Sequence, residues 1–229
     1  LDLPASYDVE QISADRQVLT NIVVGDPSDP DLTIEKVEVE LVYGFGAPEL
    51  GKIVLTKPRL YGTYSDGQMS FGSLDPVLFA ESDAPPGLPD LDVTVIDGRG
   101  LLDTDFGLIG WKVDGAGGLD DGFTGIAAVT APEVQIAGCS AGTATLYGQL
   151  STADGALSLD GPVRLRELNC RDAGVRADTA DASIDLTVDP TFAQVELAAS
   201  LENKVTERTE QLYTEQQKAR ETVRRLETR

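Results

Sequence analysis

Histidine is absent from the 229 residues. With it go Ser-His-Asp and Cys-His nucleophile pairs and most zinc sites, which leaves only carboxylate or lysine chemistry to an enzyme. No apolar run approaches the ~18 residues of a membrane-spanning helix. Basic residues are scarce, 18 against 39 acidic, for a net charge of −21. Residues 196–229 carry seven of each sign, so the whole excess lies in residues 1–195. An acidic body of this kind repels phosphate backbones, which argues against nucleic-acid binding. No proline follows Pro190 and no glycine follows Gly174. That change of composition divides the chain into a body, 1–195, and a tail, 196–229, rich in helix formers.

The body reads as strands. Val37, Val39 and Leu41 alternate with Glu38 and Glu40. Leu32 and Ile34 have the opposite parity, so a bulge near Glu35–Lys36 is expected to restore a common face. Similar half-apolar runs occur at Val18–Val24, Leu91–Ile96, Val163–Leu168 and Ile184–Val188. Asp-Gly pairs at 66–67, 97–98, 114–115, 121–122, 154–155 and 160–161 are expected to be tight turns. The spacing of a calcium loop or nonapeptide array is missing, so no metal or other cofactor is expected. Leu60-Tyr61-Gly62 and Leu146-Tyr147-Gly148 are each followed by a serine and an Asp-Gly pair, an internal echo of one strand–turn–strand unit. A helical turn is expected over Ser73–Ala80.

A dozen strands at ~4.8 Å spacing would make a sheet roughly 60 Å long, which must curl, close or cover itself. The expected fold is therefore mainly β, a long curled antiparallel meander. Its apolar face is either a filled core or a groove, and its candidate lining is Ile34, Val37, Val39, Leu41, Ile53, Leu55, Val93, Val95, Leu157 and Leu159. The tail repeats Val205, Leu212, Ala219 and Leu226 every seven residues, the seam of a charged helix that could pair with a second copy as a coiled coil. Asp103 and Asp105 are the nearest approach to a catalytic carboxylate pair, but adjacent turn carboxylates lack the apolar surroundings that would raise one pKa.

The stretches "VLTNIVVGDPSDPDLTIEKVEVEL", "KPRLYGTYSDGQMSFGSLDPVL" and "LPDLDVTVIDGRGLLDTDFG" resemble the AsmA-like envelope proteins of Gram-negative bacteria, of the TamB and YdbH kind, over residues 1–195. The resemblance implies a non-enzymatic periplasmic β-groove that shields phospholipid acyl chains in transport or outer-membrane biogenesis. It also implies an anchor in the inner membrane preceding Leu1. An envelope setting favours a bridge between Cys139 and Cys170 over free thiols. "LENKVTERTEQL" (201–212) resembles the signalling helix of sensor histidine kinases. The alternative is thus an extracytoplasmic sensor or adhesion module that signals or dimerises through that helix.

Overall fold

The computed structural model describes residues 3–44, 49–78, 88–136, 138–171, 174–189 and 195–201. Thirteen strands form one sheet. They are β1 (Ala5–Ile12), β2 (Arg16–Asp26), β3 (Asp29–Val42), β4 (Glu49–Thr56), β5 (Arg59–Ser65), β6 (Gln68–Ser70), β7 (Asp92–Thr104), β8 (Gly107–Gly118), β9 (Thr124–Ile136), β10 (Cys139–Ala153), β11 (Ala156–Cys170), β12 (Val175–Val188) and β13 (Val195–Leu201). The main path runs β1-β2-β3-β4-β7-β8-β9-β10-β11-β12-β13. β1 and β13 lie at opposite ends of it and do not pair with each other, so the described strands do not close into a barrel.

The sheet is mixed, not the wholly antiparallel meander the sequence suggests. β7 runs parallel to both β4 and β5. Parallel neighbours cannot be joined by a tight turn. Here the chain leaves β5 through the short return strand β6, a 3-10 turn (Gly72–Leu74) and α1 (Asp75–Leu78) before re-entering as β7. The expected helical turn is therefore present. The carboxylate of Asp31 accepts the Ser73 amide at 2.8 Å, and Leu74 is buried.

Asp-Gly pairs serve two purposes. Those at 66–67 and 154–155 turn hairpins with both residues at positive φ, and Gly122 does so between β8 and β9. The other three lie inside strands β7, β8 and β11, which corrects their reading as turns. Asp97 at φ 50° makes a bulge between Val95 and Gly98. Asp114-Gly115 and Asp160-Gly161 put a carboxylate on one face and no side chain on the other.

Left-handed residues lie beside the parity break in β3. Asn21 (φ 52°) in β2, Lys57 (φ 51°) in the link between β4 and β5, and Asp97 (φ 50°) in β7 are left-handed, and Lys57 forms an ion pair with Glu35 at 2.7 Å. Ile22 pairs with Ile34 and Leu19 with Val37 in unbroken register, so the bulge expected near Glu35–Lys36 is absent; the register shifts of β3 lie instead opposite Val24–Gly25 and between Val39 and Leu41. A second row crosses at Glu133 (φ 60°) and Glu167 (φ 54°). Beyond it the phase changes again, and Ala141 pairs with Val134 on β9.

The sequence reading is also corrected at its boundary. Val195–Leu201 is a strand, paired to β12 from Val188↔Val195 to Ala182↔Leu201, where the composition suggests the start of a helix. The helix seam positions Val205, Leu212, Ala219 and Leu226 lie outside the described residues.

Candidate functional site: an uncovered apolar face

Following Cα partners across the sheet gives one continuous row: Val9–Leu19–Val37–Leu55–Val95–Gly115–Gly125–Leu150–Leu159–Leu186–Leu197. It visits every strand on the main path and contains no polar residue. A row one residue away, on the opposite face, reads Gln11–Val18–Glu38–Val54–Thr94–Ala116–Thr124–Ser151–Ser158–Thr187–Glu196. The first row is apolar from one edge strand to the other, and the second is rich in hydroxyls and charge.

Eight of the ten sequence-predicted residues, Val37, Val39, Ile53, Leu55, Val93, Val95, Leu157 and Leu159, share the parity of the apolar row. Val39, Ile53 and Val93 are laterally paired, as are Val37, Leu55 and Val95. Leu159 pairs with Leu150, and Leu157 with Thr152. Ile34, paired with Ile22, has the opposite parity to Val37, and Leu41, paired with Leu50, lies beyond a register shift after Val39. Sequence reading named Leu159 but missed Ala127 and Leu146, which are buried with it, while Val129, Leu150, Val163, Ile184 and Leu186 pack around the three. The signal was present in the alternation Leu146-Gly148-Leu150, but glycine at the middle position masks the period.

No second layer covers this face among the described residues. Among the described residues no large side chain is completely buried, and ten apolar residues are buried. Over β9 and β10 the apolar-face residues are less exposed than their neighbours behind, Leu146 at 8% against Tyr147 at 59% and Ala127 at 6% against Ile126 at 48%; at the β1–β2 end the order reverses, with Val9 at 51% and Val18 behind it at 2%.

Glycines shape the sheet where strands approach closely. At Gly148, a Cβ would lie 2.2 Å from the Asp160 carbonyl, and at Gly161 2.4 Å from that of Tyr147. At Gly100 it would lie 2.0 Å from the Trp111 ring, which occupies that space instead. The one polar side chain in the buried class, Thr152, is fully used. Its Oγ1 accepts the Phe123 amide at 3.0 Å and donates to the Gly118 carbonyl at 3.1 Å.

Ion pairs gather on the other face. Arg59, Arg99 and Lys112 converge on Asp97 at 2.9, 3.3 and 3.3 Å, and Arg164 holds Asp181 at 2.7 Å. The guanidinium of Arg59, helped by Lys112 and Arg99, holds the Asp97 carboxyl down at about 2, below its ordinary 3.8. Asp105 accepts from Ser65 Oγ at 3.0 Å and the Asp66 amide at 2.8 Å, so it ties two hairpin turns together. No group of three or more potential metal ligands occurs among the described residues, and no described helix is long and apolar enough to cross a membrane. Cys139 and Cys170 are directly paired across β10 and β11 and form a disulfide.

No curated protein matches the chain. The family model that does match is YdbH-like, described as intermembrane phospholipid transport protein YdbH, and it covers residues 1–227, both the body and the tail. The chain therefore belongs to the YdbH-like family of intermembrane phospholipid transport proteins.

Proposed function

We propose that this chain is a segment of a periplasmic phospholipid conduit in which acyl chains lie on the apolar face while headgroups stay in water. The observation that carries the reading is the unbroken apolar row from Val9 to Leu197. Its ten strand-to-strand steps of ~4.8 Å give ~48 Å, several times the ~15 Å that one acyl chain occupies in half of a ~30 Å bilayer core. A face of that length is a track, not a pocket for one ligand. Each methylene moved from water onto it gains ~0.8 kcal/mol, and the gain is similar at successive positions, so a lipid can slide without a deep trap. Transfer on this basis needs no catalytic residue.

The disulfide supports an oxidising compartment, the periplasm. In this reading the eight predicted lining residues that share the row's parity, with Leu146, Leu150, Ile184 and Leu186, contact the acyl chains. Anchoring of the full-length protein in the inner membrane belongs to the same proposal.

The test is native mass spectrometry of detergent-free protein, followed by organic extraction. Wild type is expected to carry phospholipid, and Leu186→Asp, a half-buried position beside the central cluster, is expected to lose it with circular dichroism unchanged. Lipid-free wild type, or a Leu186→Asp variant that keeps its lipid, would overturn the proposal.

A further inference from the structure

The polar face carries a site with different chemistry. On β9–β12 an open cavity of about 320 Å3 is lined by Thr124, Gln149, Ser151, Ser158, Asp160, Asp185 and Thr187 among others. Gln149 pairs laterally with Asp160, and Asp160 with Asp185. Like charges directly opposite each other on a sheet are destabilising. Neither carboxylate has a cation partner among the described residues, and the nearby Arg164 is committed to Asp181. Beside this polar array, two residues along β10 on the same face, stands Tyr147, 59% exposed. Pro162 lies on β11 between Val163, the partner of Leu146, and Asp160, the partner of Gln149, and is also exposed. A flat aromatic–proline strip therefore borders a bed of amide, hydroxyl and carboxylate groups.

That combination suits a sugar ring, which has an apolar C–H face for stacking and a rim of hydroxyls for hydrogen bonding. Carboxylate, amide and hydroxyl oxygens accept from those hydroxyls, and the Gln149 amide and the serine and threonine hydroxyls donate. The unpaired acids exclude anionic ligands, and strands with exposed side chains offer an extended surface in place of a closed pocket. We propose that the outer face of β9–β12 binds an uncharged glycan chain, stacked on Tyr147 and Pro162 and hydrogen-bonded by Gln149, Asp160 and Asp185. A conduit segment so equipped could hold its polar back against polysaccharide while its apolar front carries its cargo. The site itself does not depend on the lipid reading, because it lies on the opposite face.

The probe is the hexamer of β-1,4-linked N-acetylglucosamine, titrated into the chain and followed by amide chemical shifts. Saturable shifts are expected on β10–β12 around Tyr147 and Asp160. Tyr147→Ala should weaken binding about tenfold, as loss of an aromatic stacking surface does, and leave co-purified lipid unchanged. The double variant Asp160→Asn with Asp185→Asn relieves a repulsion, so it should fold at least as well as wild type and still bind more weakly. Absence of shifts at millimolar hexamer, or shifts indifferent to Tyr147→Ala, would sink the proposal. So would calcium ions alone saturating the same amides, because the acid pair would then be a cation site.

Discussion

At the scale of single residues, the molecule depends on positions where a side chain is absent and on others where a charge is neutralised. Gly148 lies where β10 and β11 come so close that a Cβ would meet the Asp160 carbonyl at 2.2 Å. Backbone cannot swing aside as a flexible side chain can. Gly148→Ala is therefore expected to destabilise by about 1–3 kcal/mol, in the range of an overpacked site, read as a lower urea midpoint. Asp97 makes a different prediction. Its carboxyl is depressed from 3.8 to about 2 by Arg59, Lys112 and Arg99. A depressed folded-state pKa means the charged form is favoured by folding. Its stabilisation is fully present above the unfolded value near 3.8 and is lost as pH falls through about 2. Asp97→Asn should remove that component, so the acid limb of a stability–pH profile should be shallower between those two values. An unchanged limb would mean the three cations do not stabilise the ionised carboxyl.

Elements show what sequence alone conveys and what it withholds. Strand periodicity was legible in β2, β3, β7, β11 and β12, because each keeps an apolar alternation long enough to read. In β3 the change of parity between Ile34 and Val37 was legible, but the register runs through it unbroken. In β11 the change at Glu167 is hidden, since Glu carries no signature of left-handed backbone. Asp-Gly pairs were misread for a related reason. The pair favours positive φ and lacks bulk, and both a hairpin and a tight mid-strand approach need those properties. Residues 195–201 look helical by composition, yet Val195, Leu197, Ala199 and Leu201 alternate, and ladder bonds with β12 override local propensity. The kink rows themselves can be tested. Left-handed backbone costs an ordinary residue ~1–2 kcal/mol and glycine almost nothing. Glu167→Gly should thus be neutral or stabilising, whereas Glu167→Val, a β-branched residue, should lower the midpoint of thermal unfolding. Equal effects from the two would show that the kink is not held at that position.

For the whole molecule, the decisive property is that an apolar row extends across eleven strands with no second layer over it among the described residues. An ordinary domain hides such a surface in its core, and exposed patches of this size mark interaction sites or aggregation hazards. The net charge of −21 opposes association through that face, but it does not make the face stable in water. A ligand that binds only the folded state stabilises it by mass action. Acyl chains on that face should therefore couple stability to lipid occupancy. Protein stripped of lipid on a hydrophobic resin is expected to unfold at a lower temperature and to bind an apolar fluorescent dye. Refilling with phospholipid should restore the melting temperature and displace the dye. Leu159→Ala, at the centre of the face, should cost less in stripped protein than in refilled protein, because part of its packing partner is then the lipid itself. A melting temperature and a Leu159→Ala penalty both indifferent to lipid would mean that the sheet's own side chains already satisfy the face, and the apolar row would be a structural feature without a cargo.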